Sequence, residues 1–195
     1  MPSVRCSRLP KCDFSPLSAI GATKRHWYRL AQLALPHMRA QRAGTIVNIT
    51  SMGGKIYTPL GGWYHGTKFA LEALSDCLRI EVAPFGINVV VIEPGGIATE
   101  WGGIAADHLD NTIGSSAYKK QATAVAKSLR SEANANRNSP PTVISNAIGK
   151  AVTAMRPKTR YAVGFGAKPL IAARNILTDR QFDALITRAT GLPRD

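Results

Sequence analysis

No stretch of this chain is apolar for long enough to cross a bilayer. Its purely apolar runs are strand-sized, far short of the ~20 residues a spanning helix needs. The amino-terminal residues are basic but lack an apolar h-region, so no secretory signal is expected, and their prolines argue against a transit-peptide helix. Cysteine is scarce. Three cysteines cannot all pair within the chain, and Cys6 and Cys12 have neither metal-ligand spacing nor a nearby histidine. Cys77 falls in a helical apolar pattern and is expected as a small core residue. A reduced, cytoplasmic setting without a metal site is the simplest expectation. Acidic residues are outnumbered, 12 against 25 basic, for a net charge of +13. The basic residues are dispersed, without a long run or interleaved aromatics, so they read as solvated helix faces rather than a nucleic-acid or membrane surface. The central residues 43–118 reverse the balance, with 7 acidic against 3 basic. Glycine is missing from one end: residues 1–43 contain only Gly21.

What is present centres on Ser51, followed thirteen residues later by Tyr64 and then by Lys68. Thr45-Ile46-Val47-Asn48-Ile49 before them is an apolar, β-branched stretch that reads as a buried strand. Ser51 and Gly53-Gly54 then sit where that strand ends, the region where open α/β sheets place ligands. Trp63 to Ala83 reads as a helix stopped by Pro84-Phe85-Gly86. On it Tyr64 and Lys68 are i and i+4 and share a face. A free phenol, with a pKa near ~10, exchanges protons poorly at neutral pH, and a nearby ammonium favours its phenolate. A serine hydroxyl can hold a substrate oxygen beside that phenol. Alone, the Tyr-x-x-x-Lys spacing is equally an exposed helical pair.

A second buried strand, Ile87-Asn88-Val89-Val90-Val91-Ile92, ends at Glu93-Pro94-Gly95-Gly96-Ile97-Ala98-Thr99. Strand, serine, Tyr-Lys helix, strand and Pro-Gly-x-x-x-Thr turn, strongest from Leu33 to Trp101, closely resemble the short-chain dehydrogenase/reductase family. The resemblance implies an α/β fold, here a partial Rossmann-like parallel sheet of about three strands with flanking helices. It implies an NAD(P)-dependent oxidoreductase acting on a small-molecule alcohol or carbonyl. Ser51 would orient the substrate carbonyl and Tyr64 would act as general acid/base. Lys68 would lower the Tyr64 pKa and hydrogen-bond the nicotinamide ribose. Pro94, Gly95, Ile97 and Thr99 would line the nicotinamide end of the NAD or NADP. Without the family context, Pro94-Gly95-Gly96 is a plain turn and Thr99 a helix cap.

The family's glycine-rich turn, Thr-Gly-x-x-x-Gly-x-Gly, has no counterpart in this sequence. Nor does the residue that separates NAD from NADP, or the helix asparagine, whose place falls near Thr23 or Lys24. Residues 1–28 look foreign to the family and are expected as an atypical, disordered segment, whereas 29–195 read as the carboxy-terminal part of the domain. The expectation is a truncated family member, with an unrelated start in the reading frame as one explanation. A catalytically inactive remnant that acts as a binding protein is the alternative function.

Gly95 to Ser116 would form the family's mobile substrate lid. Ala117 to Ala133 reads as a helix, Asn134 to Ser139 as a break, and Ser139-Pro140 as the start of a helix to about Met155 with serine as N-cap. Arg160 to Gly164 is a last strand, and Pro169 to Thr190 is helical in one or two pieces. The Tyr-Lys helix carries two apolar stripes, Leu71, Leu74, Leu78, Val82 and Phe69, Ala73, Cys77, Ile80. A surface helix needs only one, so a homo-oligomer through this helix is expected, as in the family's dimers. His65 beside the tyrosine is expected to turn away from the Tyr64–Lys68 face. An exposed sheet edge and limited stability are further expectations.

Overall fold

The structure, a computed structural model, describes residues 18–193, with side chains described from residue 29 onward. Helix α1 (Ser18–Gln41) leads into β1 (Gly44–Ile49), a 3-10 turn (Met52–Gly54) and α2 (Gly62–Val82). Then follow β2 (Ile87–Pro94), α3 (Trp101–Ile113), α4 (Lys119–Leu129) and α5 (Glu132–Ala135). The chain closes with α6 (Thr142–Thr153), β3 (Arg160–Val163), α7 (Ala167–Ile176) and α8 (Asp179–Thr190). The stretch 1–28 set apart by composition lies partly outside the described residues, and its last part is already helical in α1.

The three strands are parallel in the order β1-β2-β3, which is the partial α/β sheet expected. Ile46 pairs with Val89, and Val91 with Arg160. Central β2 is covered on both faces, and Val89, Val90, Val91 and Ile92 are each 2% exposed or less. That is why it reads as a continuous apolar run rather than an alternating one. Ile87 and Val89 pack with Val82 and Leu78 of α2, Leu35 and Met38 of α1, and Ile46. Alternation sends Val90 and Ile92 to the other face, where α6 lies against all three strands and buries Ala147 and Ala151. β1 is a sheet edge, and of its residues only Asn48 is fully buried.

Several elements differ from the pattern reading. The expected 117–133 helix divides into α4 and α5, because Arg130 ends α4 and the chain turns at Ser131. Helix α6 starts at Thr142 behind Pro141, with no side-chain cap. Ser139 is instead spent on the sheet side, donating its N–H to Gly96 (3.0 Å) and accepting from Ala98 (2.9 Å). The 95–116 stretch holds a regular helix, α3, despite its glycines. Cys77 is exposed, not core. The reason is that α2 meets the sheet through polar groups: Glu72 and Ser75 are buried, Ser75 accepting from Asn48 at 2.8 Å. Counting apolar residues alone therefore rotates the inner face. Phe69, Leu74 and Ile80 stand on the outer side, Ile80 at 68% exposure.

Candidate active site

The end of β1 turns sharply at Ser51, whose Oγ caps the 3-10 turn by accepting the Gly53 N–H at 3.0 Å. Its own proton points to the Pro94 carbonyl across 3.5 Å, a stretched contact that leaves the hydroxyl able to turn toward a ligand. Tyr64 comes from the first turn of α2. Its ring lies on the backbone of this serine turn, so closely that a Cβ added at Gly53 would sit 2.9 Å from Tyr64 Cε1. Glycine is required there by close approach. Lys68 Nζ donates to the Ile49 carbonyl at 3.3 Å and stands 6.0 Å from the Tyr64 ring centroid. Burial lowers the Lys68 pKa below the usual lysine range. Ser51, Tyr64, Lys68 and Pro94 thus converge at the carboxyl end of the sheet.

The Pro94–Thr99 turn is pinned rather than loose. Gly95 donates to Val163 at 2.8 Å and passes so near the β3–α7 junction that an added Cβ would lie 2.1 Å from the Phe165 carbonyl oxygen. Ile97 is half-buried and bridges Ser139. Thr99 is exposed, and the residue preceding α3 is Glu100, so the helix-cap reading of Thr99 does not hold.

Three features escape motif reading. His65 does not simply turn away from the Tyr64–Lys68 face, because its ring meets the Tyr64 ring edge-on with centroids 5.4 Å apart, and it forms a clamp: its Nδ1 is 2.9 Å from the Gly53 carbonyl, and its Nε2 accepts the Thr58 N–H at 3.0 Å. A carbonyl only accepts and an amide only donates, so the ring carries its proton on Nδ1. It ties the serine turn to α2. Trp101 lies against Tyr64, with ring centroids 5.4 Å apart at 44°.

The third feature is a buried ion network. Glu72 and Glu93 are each 3% exposed. Glu72 accepts from Thr50, the neighbour of Ser51, and is 3.2 Å from Lys55 Nζ. Arg160 of β3 reaches Glu72 at 3.1 Å and Asp76 at 2.6 Å. Its Nε also lies 3.2 Å from Glu93 Oε1, which is paired by charge but not aligned for a hydrogen bond. Burial, reinforced by the Glu72 charge, raises the Glu93 pKa against the pull of Arg160 and Lys55. For Asp76, burial pushes upward, but hydrogen bonds from Arg160 and Arg79 win and hold it below the usual range. No local sequence signal announces this cluster, since Arg160 lies 88 residues from Glu72.

A parallel α/β sheet with a serine, tyrosine and lysine gathered at its carboxyl end has its polar side chains where open α/β proteins bind their ligands. Residues 26–108 match the short chain dehydrogenase family. The chain is 35% identical to Oxidoreductase BOA17 of Botryotinia fuckeliana, over 69% of this chain and 48% of that protein. It is 33% identical to retinol dehydrogenase 5 of Mus musculus, over 80% of this chain and 51% of that one. Among solved structures it is similar to a short-chain dehydrogenase from Streptomyces avermitilis, with TM-score 0.57, 28% identity, and 83% of this chain and 55% of that chain covered. The chain belongs to the short-chain dehydrogenase family. It spans about half the length of these relatives.

Proposed function

We propose that the protein is an NAD(P)-dependent oxidoreductase that interconverts an alcohol and a carbonyl compound, with Tyr64 as the acid/base. The observation that carries this reading is the packing of the Tyr64 ring on the serine turn with the Lys68 ammonium 6.0 Å from the ring centroid. The Ser51 hydroxyl turns from its stretched contact to Pro94 and donates to the substrate oxygen. Tyr64 gives its proton to that oxygen in reduction and takes it back in oxidation. The Lys68 cation favours the phenolate left behind. A nicotinamide cofactor, NAD or NADP, supplies or accepts the hydride. The nicotinamide end of its site fits the residues present: Lys68 spends one of its N–H groups on Ile49 and keeps others for ribose hydroxyls, beside Pro94, Gly95, Ile97 and Thr99. Among the described residues no glycine-rich turn offers the pyrophosphate a cradle, so weak nucleotide affinity is expected.

The exposed Phe69, Ala73, Cys77 and Ile80 side of α2 supports pairing with a second copy. No helix among the described residues is long and apolar enough to cross a membrane. The test is NADH and NADPH titration of the purified chain by tryptophan fluorescence, followed by carbonyl-dependent NAD(P)H oxidation. Tyr64→Phe should cut turnover by at least ~100-fold while binding persists, and Lys68→Ala should weaken binding. Failure of the wild type to bind either nucleotide would favour the alternative of a non-catalytic binding protein.

A further inference from the structure

Helix α3 has two unlike sides. One is fastened to α4: Ala106 is fully buried, and Arg130 reaches round to Asp107 (2.6 Å) and Asp110 (2.7 Å). The other carries Trp101, Ile104 and His108, at i, i+3 and i+7, and all three are exposed. Trp101 is 53% exposed and Ile104 63%, so the two leave adjoining apolar surface open on a helix already anchored elsewhere. This outward side begins beside the proposed acid/base, because the Trp101 ring lies 5.4 Å from that of Tyr64. Elsewhere the phenol ring meets the Gly53 backbone, the edge of His65 and, 6.0 Å from its centroid, the Lys68 ammonium, none of which offers an exposed apolar surface. A carbonyl oxygen that reaches the Tyr64 hydroxyl therefore brings its carbon substituents alongside the indole.

We infer that Trp101, extended by Ile104, is a specificity-determining wall that receives a flat apolar group attached to the carbonyl carbon. The substrate class is aryl or conjugated aldehydes and ketones, with the corresponding alcohols, in preference to compact aliphatic ones. This rests on the proposed oxidoreductase reading. An indole with an open face gains by stacking on a planar π-system and gains little from a short alkyl chain. Ile104, one turn on, lengthens the wall without adding a hydrogen-bonding group. His108 marks its far, polar end.

The experiment compares 2-acetylnaphthalene with 2-butanone as probes, using wild type, Trp101→Phe and Trp101→Ala with NADH and NADPH. Wild type should prefer the naphthyl ketone. Trp101→Ala should raise its KM by about tenfold and lower kcat/KM for it about fivefold more than for 2-butanone, while Trp101→Phe keeps most of the preference. An equal fall for both probes would mean that Trp101 only props Tyr64, and no change for either would mean that substrate avoids α3. Either result overturns the inference. If the wild type reduces neither probe, the oxidoreductase reading fails first. Saturation-transfer NMR of 2-acetylnaphthalene then decides separately: binding weakened in Trp101→Ala sustains the wall, and absent or unchanged binding refutes it.

Discussion

Replacing Arg160 by methionine removes the cation that Glu72, Asp76 and Glu93 share, while keeping most of the side chain's apolar stem. Glu72 and Glu93 are each 3% exposed, so they cannot recover water without opening the junction of β2 and α2. Stripping one partner from a buried ion pair costs about 3–5 kcal/mol. Here the lower end applies, because Arg160 is itself 28% exposed and Lys55 remains 3.2 Å from Glu72. A loss of ~3 kcal/mol in a domain of this size lowers Tm by ~6–12 °C. The loss should depend on pH. Burial raises the Glu93 pKa above its ordinary 4.5, so the folded state binds the extra proton, and stability falls as pH rises from 4.5 through the folded value. Arg160 limits that rise, and its removal extends the window upward. The deficit of Arg160→Met should therefore be smaller at pH 5 than at pH 8. Adding Glu93→Gln should restore part of the stability at pH 8 and flatten the slope. Thermal melts followed by circular dichroism at both pH values read the wild type and both variants. A Tm within ~2 °C of wild type, or a deficit equal at the two pH values, would refute the shared-cation account.

Three other outcomes follow from the same geometry. Gly95→Ala places a Cβ 2.1 Å from the Phe165 carbonyl, so backbone must move, and a Tm drop of several degrees or insoluble expression is expected. His65→Ala strands the Gly53 carbonyl and the Thr58 amide and should cost about 2–3 kcal/mol, read as a lower Tm and faster amide exchange at Thr58. Ile80→Glu puts charge on the exposed side of α2. In light scattering after size exclusion it should convert a dimer to a monomer, and a wild type that is already monomeric would count against pairing through this helix.

The strands and the helix that carries Tyr64 and Lys68 were legible because their residues satisfy local rules. The apolar, mostly β-branched run at 87–92 has the length and composition of a strand covered on both faces, and Pro84-Phe85-Gly86 has the chemistry of a helix stop. Ser51, Tyr64, Lys68 and Pro94 were legible as a set, since strand ends and an i, i+4 helical pair bring them together whatever the details of packing. The lesser elements were not. Ser139 looked like a cap because its sequence neighbours suit one, yet the sheet edge claimed its backbone. Cys77 looked buried because the apolar count could not foresee that Glu72 and Ser75 occupy the inner face of α2.

Periodicity and spacing by themselves determined two strands, the helix between them and the place where a serine, a phenol and an amine meet, because those depend on neighbours within one or two turns of chain, and the family resemblance implied the parallel α/β frame. Only the tertiary structure decided that Arg160 neutralises Glu72 from 88 residues away, that His65 clamps the serine turn, and that Trp101 lies on Tyr64. Such contacts join groups whose separation along the chain carries no information about their distance, and their energies exist only once packing has excluded water from between them.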